Sequence, residues 1–145
     1  MKIALGADHG GFELKEKLKK RLQTLDYNVL DYGTESLESC DYNDVAVKVS
    51  EAVKDQTVDR GILICGTGVG MCIQANKVKG IRAALVHDMF TAEATRLHND
   101  TNVLCMGGRI IGDEVGFGIA KIWLETEFSN DERHVRRVNK IKDNE

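Results

Sequence analysis

The stretch GILICGTGVGM, from Gly61 to Met71, indicates the fold more clearly than any other part of the sequence. It begins with an uninterrupted apolar run, residues 62–64, which continues through Cys65 into a segment rich in glycine. A short apolar run that ends in a glycine-rich turn is typical of a buried parallel strand followed by a helix. We therefore predict a strand that ends at Cys65, a turn from Gly66 to Gly70 and a helix from Met71 to Lys77.

The glycine-rich turn has the composition of an anion-binding loop. Glycine reaches backbone conformations with positive φ, so successive N–H groups can point toward one centre, and the following helix adds positive potential. The same helix N-terminus favours the thiolate, so Cys65 is either a reactive thiol or a buried core residue. The spacing G-x-G-x-G matches neither a dinucleotide site nor a P-loop. A small anion, or a group that becomes anionic, fits this turn better than a nucleotide.

The length and composition of the chain exclude several classes of protein. At 145 residues it has the size of one domain and can bury a hydrophobic core. Its net charge of −3 argues against general nucleic-acid binding, because no basic field attracts a polyanion. The opening MKIALGADHGG is too polar for a signal peptide, and no uncharged apolar run approaches the roughly 20 residues of a membrane span. We expect a soluble, cytoplasmic protein.

The four cysteines occur without a C-x-x-C pair and without the Cys/His spacing of a metal site. We therefore expect reduced thiols, no disulfide framework and no metal ion. Cys72 and Cys105 lie in apolar runs and are predicted to be core residues, whereas Cys40 lies in a polar loop.

Strand-like and helix-like segments alternate along the chain with short connections. Strands are predicted at residues 2–7, 28–32, 61–65, 81–86 and 103–106. Helices are predicted at residues 12–25, after a cap at Asp41 or Asn43, at 71–77, from Asp88 to Leu97, at 112–126 and at about 131–142, the last after a Ser129-x-x-Glu132 capping box. This alternation predicts a single three-layer α/β/α Rossmann-like domain over residues 1–145, with a five-stranded, mainly parallel sheet of unassigned strand order.

Chemically distinctive residues follow several of the predicted strands. Asp8 and His9 come after the first strand, the Cys65 turn after the third and Arg109 after the fifth. Ligands of such sheets bind outside the carboxyl ends of the strands, so these residues are candidates for one site. His98 lies in a polar turn, residues 98–102, before the fifth strand and does not obviously belong to that edge.

Together the candidate residues supply a base, an anion-stabilising loop and several cations. A Cys65 thiolate beside the amide loop and the Thr67 hydroxyl could remove a proton from a carbon next to a carbonyl. Phosphate binding by arginines would make the reaction an aldose–ketose isomerisation of a phosphosugar, which needs no metal and no organic cofactor. The alternative is that the histidines and arginines are ordinary surface residues. The candidate cations are His9, His98, Arg109, Arg133 and Arg137.

Six ordered blocks of sequence resemble the ribose-5-phosphate isomerase B family, which includes the galactose-6-phosphate isomerase subunits, over essentially the whole chain. The blocks are GADHGGFELK (residues 6–15), ICGTGVGM (64–71) with Asn76-Lys77 behind it, GIRAA (80–84), RLHNDTNVL (96–104), GGRIIG (107–112) and RHxxRV (133–138).

The resemblance implies a role for each candidate residue. Cys65 would move a proton between C1 and C2 of the sugar, and His98 would open the furanose ring by protonating its oxygen. Thr67 and the backbone amides would hold the enediolate, the amides being those of the turn from Gly66 through Gly68 and Val69 to Gly70. Sugar hydroxyls would be bound by Asp8 and Asn99, with Tyr42 lining the site. The phosphate clamp would consist of His9, Arg109, Arg133 and Arg137.

The resemblance also implies homodimers, often paired into tetramers, with active sites shared between subunits. Two features depart from the family pattern. Asn43 follows Tyr42 where many relatives have proline, and Asp131-Glu132 precedes Arg133 where many have Gly-Gly. The first leaves the loop less restricted, and the second places carboxylates that could screen the arginines.

The preferred interpretation is a cofactor-free isomerase of ribose 5-phosphate and ribulose 5-phosphate. The same chemistry on allose 6-phosphate or galactose 6-phosphate is the nearest alternative, although Cys65, Thr67 and His98 in one chain favour a homo-oligomer over one subunit of a galactose-6-phosphate pair. A non-catalytic nucleotide-binding module and a thiol redox enzyme are less favoured, because the nucleotide motifs and a resolving cysteine are missing.

Overall fold

Strands and helices alternate along the chain, as the computed structural model of residues 1–145 shows. The strands are β1 (Lys2–Ala7), β2 (Asn28–Asp31), β3 (Arg60–Cys65), β4 (Ala83–Leu85) and β5 (Val103–Gly107). The helices are α1 (Phe12–Gln23), α2 (Tyr42–Lys54), α3 (Val69–Ala75), α4 (Met89–Asn99), α5 (Asp113–Glu125) and α6 (Glu132–Lys142).

The strands form one sheet in the order β2-β1-β3-β5-β4, and every pair is parallel. This confirms the predicted α/β architecture and supplies the strand order that the sequence did not. All six residues of β3 are buried, as expected for a central strand covered on both faces. Chain connections diverge to either side of the neighbouring strands β1 and β3, which creates a crevice at their carboxyl ends.

Hydrophobic side chains pack on both faces of the sheet and complete the three layers. On one face α1, α4 and α5 contribute Leu18, Ala92 and Trp123 to the core. On the other face α2 and α3 contribute Val49 and Met71. All five side chains are almost completely shielded from solvent. None of the six helices has the length and apolar character that crossing a membrane would require.

Trp123 is anchored by polar contacts inside the core. Its Nε1–H donates to Thr101 Oγ1 at 2.9 Å, so the buried indole has no unpaired donor. The buried Arg60 donates to the carbonyl oxygens of Trp123 and Leu124 at 2.8 and 2.9 Å. These contacts connect the end of α5 to the amino ends of β3 and β5.

A buried lysine connects α1 to the end of β2. Lys15 Nζ lies 2.8 Å from both carboxylate oxygens of Asp31 and 2.7 Å from the carbonyl oxygen of Thr34, and its side chain is fully buried. Lys19 contacts Asp31 as well, at 2.6 Å. Because a buried ammonium group needs a counter-charge, this cluster fixes the position of the segment after β2.

Helix α4 is longer than predicted and includes His98 and Asn99, which were expected in a turn. Its last residue is Asn99, and the C-cap residue Asp100 has a left-handed φ of 48°, which is incompatible with another helical turn. Arg82 and Arg96 donate to the Asp100 carboxylate at 2.8 and 2.9 Å and hold this conformation. The run of polar residues was read as a turn because these tertiary contacts are absent from the local sequence.

The predicted capping box before α6 is wrong. Asp131 occupies the N-cap position, and its side chain makes no capping hydrogen bond. Ser129 Oγ instead lies 2.8 Å from the Nδ1 atom of His134 and accepts from the N–H of Asp131 at 3.3 Å. The Ser129 hydroxyl, which the sequence pattern assigned to a helix cap, is thus hydrogen-bonded to the buried His134 ring instead. Helix α3 also differs, because it starts at Val69, two residues earlier than predicted.

Candidate active site

One set of candidate residues lies together at the carboxyl ends of β1, β3 and β5. We call this set the carboxyl-edge group: Asp8, His9, Tyr42, the loop from Cys65 to Gly70, and Arg109. The loop joins β3 to α3, Asp8 and His9 follow β1, and Arg109 follows β5. Parallel strands bring these ends to one edge of the sheet, so the predicted clustering of Asp8, His9, Cys65 and Arg109 is confirmed.

The Cys65 side chain is held by the loop that follows it. The residue is only 5% exposed, and its Sγ accepts a hydrogen bond from the N–H of Gly68 at 3.1 Å. Gly68 has a φ of 78°, and a Cβ atom there would lie 2.5 Å from Leu85 Cδ1 and 2.8 Å from the carbonyl carbon of Met106. Only glycine therefore permits this turn. Thr67 lies in the same loop and is exposed to solvent.

Asp8 and His9 are fixed by backbone contacts. Asp8 is buried, and its Oδ1 accepts from the N–H of Gly10 at 2.8 Å. The Nδ1 atom of His9 accepts from the N–H of Cys40 at 3.3 Å, so a neutral ring carries its proton on Nε2. His9 is thus prepared to donate a hydrogen bond from Nε2. Cys40, which the sequence left without a role, orients this ring through its backbone.

Tyr42 begins α2 and lies against the Cys65 loop. A Cβ atom on Gly70 would be 2.7 Å from the Tyr42 ring, so the ring packs on this glycine. Asn43, the next residue, donates to Gln74 Oε1 at 2.9 Å. This hydrogen bond connects α2 to α3.

Arg109 is attached to the Cys65 loop through the turn after β5. The N–H of Gly108 donates to the carbonyl oxygen of Cys65 at 2.8 Å, and the N–H of Arg109 donates to that of Gly66 at 3.1 Å. The Arg109 guanidinium lies beside Gly66, with Nη1 3.3 Å from where a Cβ atom would be. The Arg109 guanidinium therefore lies against the loop that holds the Cys65 thiol.

His87 also reaches this edge, although no role was predicted for it. Its Nε2 atom accepts a hydrogen bond from the N–H of Gly107 at 2.9 Å. The available signal was its position directly after the fourth predicted strand, at the edge where the other candidates lie.

A second set of candidates, the amino-edge group, consists of His98, Asn99, Arg133 and Arg137, together with the unpredicted His134. The rings of His98, on α4, and His134, on α6, are 4.5 Å apart between centroids. Burial lowers the pKa of His134, and the nearby His98, Arg133 and Arg137 lower it further, against a smaller opposing effect of Asp131. His134 is therefore neutral at pH 7.

Within one chain the two groups lie at opposite edges of the sheet. The end of α4 leads into the start of β5, whereas Cys65 pairs with Gly107 at the end of β5. The four residue steps from Val103 to Gly107 alone separate the edges by about 13 Å. The position that the sequence suggested for His98, away from the Cys65 edge, is confirmed.

Asp131 lies among the charges of the amino-edge group. Its Oδ2 is 3.8 Å from Arg133 Nη2 and 3.8 Å from His134 Nδ1. The Asp131 and Arg133 side chains are largely exposed, so water screens their attraction and Arg133 stays available to a stronger anion.

The remaining cysteines differ in environment. Cys105 is fully buried, as predicted, and burial raises the pKa of its thiol. Cys72 is only half-buried, contrary to the prediction. Its Sγ lies against the edge strand β4, 3.6 Å from the carbonyl oxygen of Ala83. A hydrogen bond with Cys105 lowers the pKa of Cys72 to about 7. All four cysteines are free thiols, and no three histidine, cysteine or acidic residues are grouped as metal ligands would be.

Comparison with known families identifies the class of enzyme. The family described as Ribose/Galactose Isomerase matches residues 3–141. The chain belongs to this family. The resemblance drawn from the six sequence blocks is thereby confirmed, and the protein is a sugar-phosphate isomerase, an enzyme of the intramolecular oxidoreductase class.

Three members of the ribose/galactose isomerase family illustrate its range. Ribose-5-phosphate isomerase B of Escherichia coli is 46% identical over 97% of this chain and 93% of its own length. D-erythrulose-4-phosphate isomerase 2 of Mycolicibacterium smegmatis is 42% identical over 97% and 95%. The structure of ribose-5-phosphate isomerase B from Mycoplasma genitalium with bound ribulose 5-phosphate is 41% identical, covers 99% and 95%, and superimposes with a TM-score of 0.94.

Proposed function

We propose that this isomerase interconverts ribose 5-phosphate and ribulose 5-phosphate through an enediolate, without a cofactor. The observation that carries the proposal is the Cys65 thiol, which lies at the carboxyl end of β3 and accepts a hydrogen bond from the N–H of Gly68 in its own loop. The Mycoplasma genitalium relative with bound ribulose 5-phosphate has the same fold, which supports a five-carbon substrate.

In the proposed reaction the Cys65 thiolate removes the proton from C2 of the open-chain aldose. The C2–H electron pair forms a C1–C2 double bond, and negative charge moves to the oxygen on C1. Backbone N–H groups of residues 66–70 and the Thr67 hydroxyl stabilise that charge. The thiol then returns the proton to C1, while the proton of the C2 hydroxyl passes to the oxygen on C1, so that C2 becomes the ketone and C1 the primary alcohol of ribulose 5-phosphate.

The cations of both groups bind the phosphate in this proposal. His9 donates from Nε2, because Cys40 occupies its Nδ1 atom, and Arg109 donates from the turn beside Gly66. Arg133 and Arg137 lie one helical turn apart on α6 and present two exposed guanidinium groups on one side of that helix. Guanidinium groups match the geometry of phosphate oxygens, so the four residues form a charge-assisted clamp.

We further propose that the active unit is a homodimer in which the carboxyl-edge group of one subunit meets the amino-edge group of the other. Their separation within a chain supports this, because His98 must reach the sugar whose proton Cys65 removes. A two-fold axis brings opposite edges of two copies together twice. In this arrangement His98 protonates the ring oxygen, and Asn99 and Asp8 hold hydroxyl groups.

Exposed apolar residues near Cys65 also support a subunit interface. Phe90, at the start of α4, is 78% exposed, and Ile73 on α3 is 59% exposed. Leu85 and Ile110 lie next to the loop itself, in contact range of Gly68 and Gly107. Exposed large apolar side chains favour association with another protein surface.

The length of the substrate is the part of the proposal that needs direct measurement. We would compare kcat/KM for D-erythrulose 4-phosphate, D-ribose 5-phosphate, D-allose 6-phosphate and D-galactose 6-phosphate under identical conditions. We expect the highest value for ribose 5-phosphate. A higher value for erythrulose 4-phosphate would favour the activity named for the Mycolicibacterium smegmatis relative. A higher value for allose 6-phosphate or galactose 6-phosphate would favour a six-carbon substrate.

A further inference from the structure

The N–H of Gly107 lies at the end of β5, beyond the last residue of the neighbouring outer strand β4. Strand β4 ends at Leu85, and the last backbone hydrogen bond on this side of β5 runs from the N–H of Val86 to the carbonyl oxygen of Cys105 at 3.0 Å. Gly107 is buried and lies two residues further along β5, beyond the end of its neighbour. A buried N–H without an acceptor is strongly unfavourable. His87 Nε2, at 2.9 Å, replaces the missing strand carbonyl.

The same residue determines how the turn after β5 meets the Cys65 loop. The carbonyl oxygen of Gly107 accepts from the N–H groups of Ile110 and Ile111 at 3.0 and 3.2 Å, which closes the turn that carries Arg109. A Cβ atom on Gly107 would lie 2.9 Å from the carbonyl group of Thr67, so the two backbones are in direct contact. A shift of the Gly107 backbone would therefore displace both Arg109 and the Thr67 backbone.

We propose that His87 is a positioning residue for the isomerase site. In its neutral form it carries the proton on Nδ1, accepts from Gly107 at Nε2, and holds the turn of Gly107 to Arg109 against the Cys65 loop. It does not contact the substrate. The proposal rests on the proposed roles of the Cys65 loop and Arg109, but the hydrogen bond itself can be tested without any activity.

Two substitutions separate the hydrogen bond from the bulk of the ring. His87→Phe keeps a planar ring and removes the acceptor, whereas the side-chain oxygen of His87→Gln can reach the position of Nε2 and accept from Gly107. We expect His87→Phe to lower kcat/KM for ribose 5-phosphate by about tenfold, the loss typical of an unsatisfied buried donor. Both a lower kcat, from the displaced amides, and a higher KM, from the displaced Arg109, should contribute. His87→Gln should recover most of the loss.

Asp59→Ala is a matched control. Asp59 Oδ2 also accepts a backbone N–H, that of Lys2 at 2.7 Å, but at the amino ends of β1 and β3 and outside both groups of site residues. This variant should keep the kcat and KM of the wild type. Equal impairment of His87→Phe and His87→Gln, or wild-type kinetics in His87→Phe, would overturn the proposal.

Nuclear magnetic resonance on the wild-type protein tests the geometry even if His87→Phe does not fold or the enzyme prefers another sugar. We expect ¹⁵N shifts of a neutral His87 protonated on Nδ1, together with slow hydrogen exchange at the Gly107 amide. In His87→Phe that exchange should become faster, and in His87→Gln it should remain slow. A His87 ring protonated on Nε2 in the wild type would exclude the proposed hydrogen bond, whatever the substrate.

Discussion

The Cys65 thiol combines two properties that a buried structural cysteine does not need. Its sulfur accepts a hydrogen bond from the N–H of Gly68. This hydrogen bond fixes the sulfur against its own loop. Gly68 adopts a left-handed backbone conformation that leaves no room for a side chain. The same loop thus supports both the base and the anion that the base creates.

Cys65→Ala should therefore abolish isomerisation and leave phosphosugar binding largely intact. The thiolate acts on a carbon-bound proton, while the cations hold the phosphate. Steady-state kinetics and isothermal titration calorimetry with ribose 5-phosphate measure the two effects. Cys72→Ala is the matched control and should retain the wild-type kcat, because Cys72 faces β4 and lies outside the carboxyl-edge group. A normal kcat in Cys65→Ala would exclude the proposed mechanism.

Arg137→Ala should reduce kcat/KM for the phosphosugar by about tenfold or more, the amount expected when one charge-assisted hydrogen bond is lost. Turnover of unphosphorylated ribose, already poor, should change little. Arg136→Ala, at the adjacent exposed position of α6, is the control for a general loss of positive charge. An equal loss with both sugars would make Arg137 a structural residue.

At the scale of elements, the central strands β1, β3 and β5 were predictable because each contains a short buried apolar run. Helix ends were less predictable. The end of α4 depends on Arg82, which precedes β4 in the sequence, whereas α4 follows β4. The start of α6 depends on a contact between Ser129 and His134. Both contacts form only after the elements pack, so local patterns carry no signal for them.

The cluster that connects α1 to β2 makes stability depend on pH. Burial opposes ionisation of Asp31, but hydrogen bonds from Lys15, Lys19 and the N–H of Gly33 outweigh it and lower the pKa of Asp31. A lowered pKa in the folded state stabilises the fold at pH values above the unfolded pKa. This contribution is lost as the pH falls from about 5 through the folded pKa.

Asp31→Asn should lower the free energy of unfolding at pH 7 by about 1 to 3 kcal/mol, since the buried Lys15 ammonium loses one of its two carboxylate partners and keeps only Glu16, at 3.1 Å. The difference from the wild type should shrink as the pH falls, because protonation removes the same charge. Urea unfolding between pH 7 and pH 3 measures both quantities. Asp26→Asn, which removes an exposed carboxylate that makes no ion pair, should parallel the wild type throughout. A constant difference at all pH values would contradict the linkage.

At the scale of the whole molecule, the sequence predicted which candidate residues lie together only where they follow strands of the parallel sheet. Asp8, His9, Cys65 and Arg109 follow strands, so a parallel sheet places them together without further information. His87 and His134 escaped prediction because their roles depend on hydrogen bonds and ring contacts between distant elements. The strand order was equally hidden, since it depends on which apolar faces pack best.

The separation of the two groups predicts that two inactive variants restore each other. Cys65→Ala and His98→Asn, unfolded and refolded together in equal amounts, should pair at random. Half of the dimers then contain both variants, and each of these has one intact site and one doubly altered site. The mixture should recover roughly a quarter of wild-type activity, as two-fold symmetry requires.

Each variant refolded alone is the control and should remain inactive. Repeating the mixture with Arg109→Ala or Arg137→Ala in place of His98→Asn identifies which phosphate ligands come from the second subunit. We expect recovery with Arg137→Ala and none with Arg109→Ala, because Arg109 lies beside Gly66 of the same chain. Inactive mixtures that contain heterodimers by mass spectrometry would assign Cys65 and His98 to one subunit.

Trp123 gives every one of these variants an internal optical reporter. It is the sole tryptophan, it is completely buried, and its indole N–H is bonded to Thr101 rather than to water. Fluorescence from such an indole is emitted at short wavelength and moves to longer wavelength once solvent reaches the ring. An inactive variant with native emission has therefore lost its chemistry, and one with red-shifted emission has lost its core.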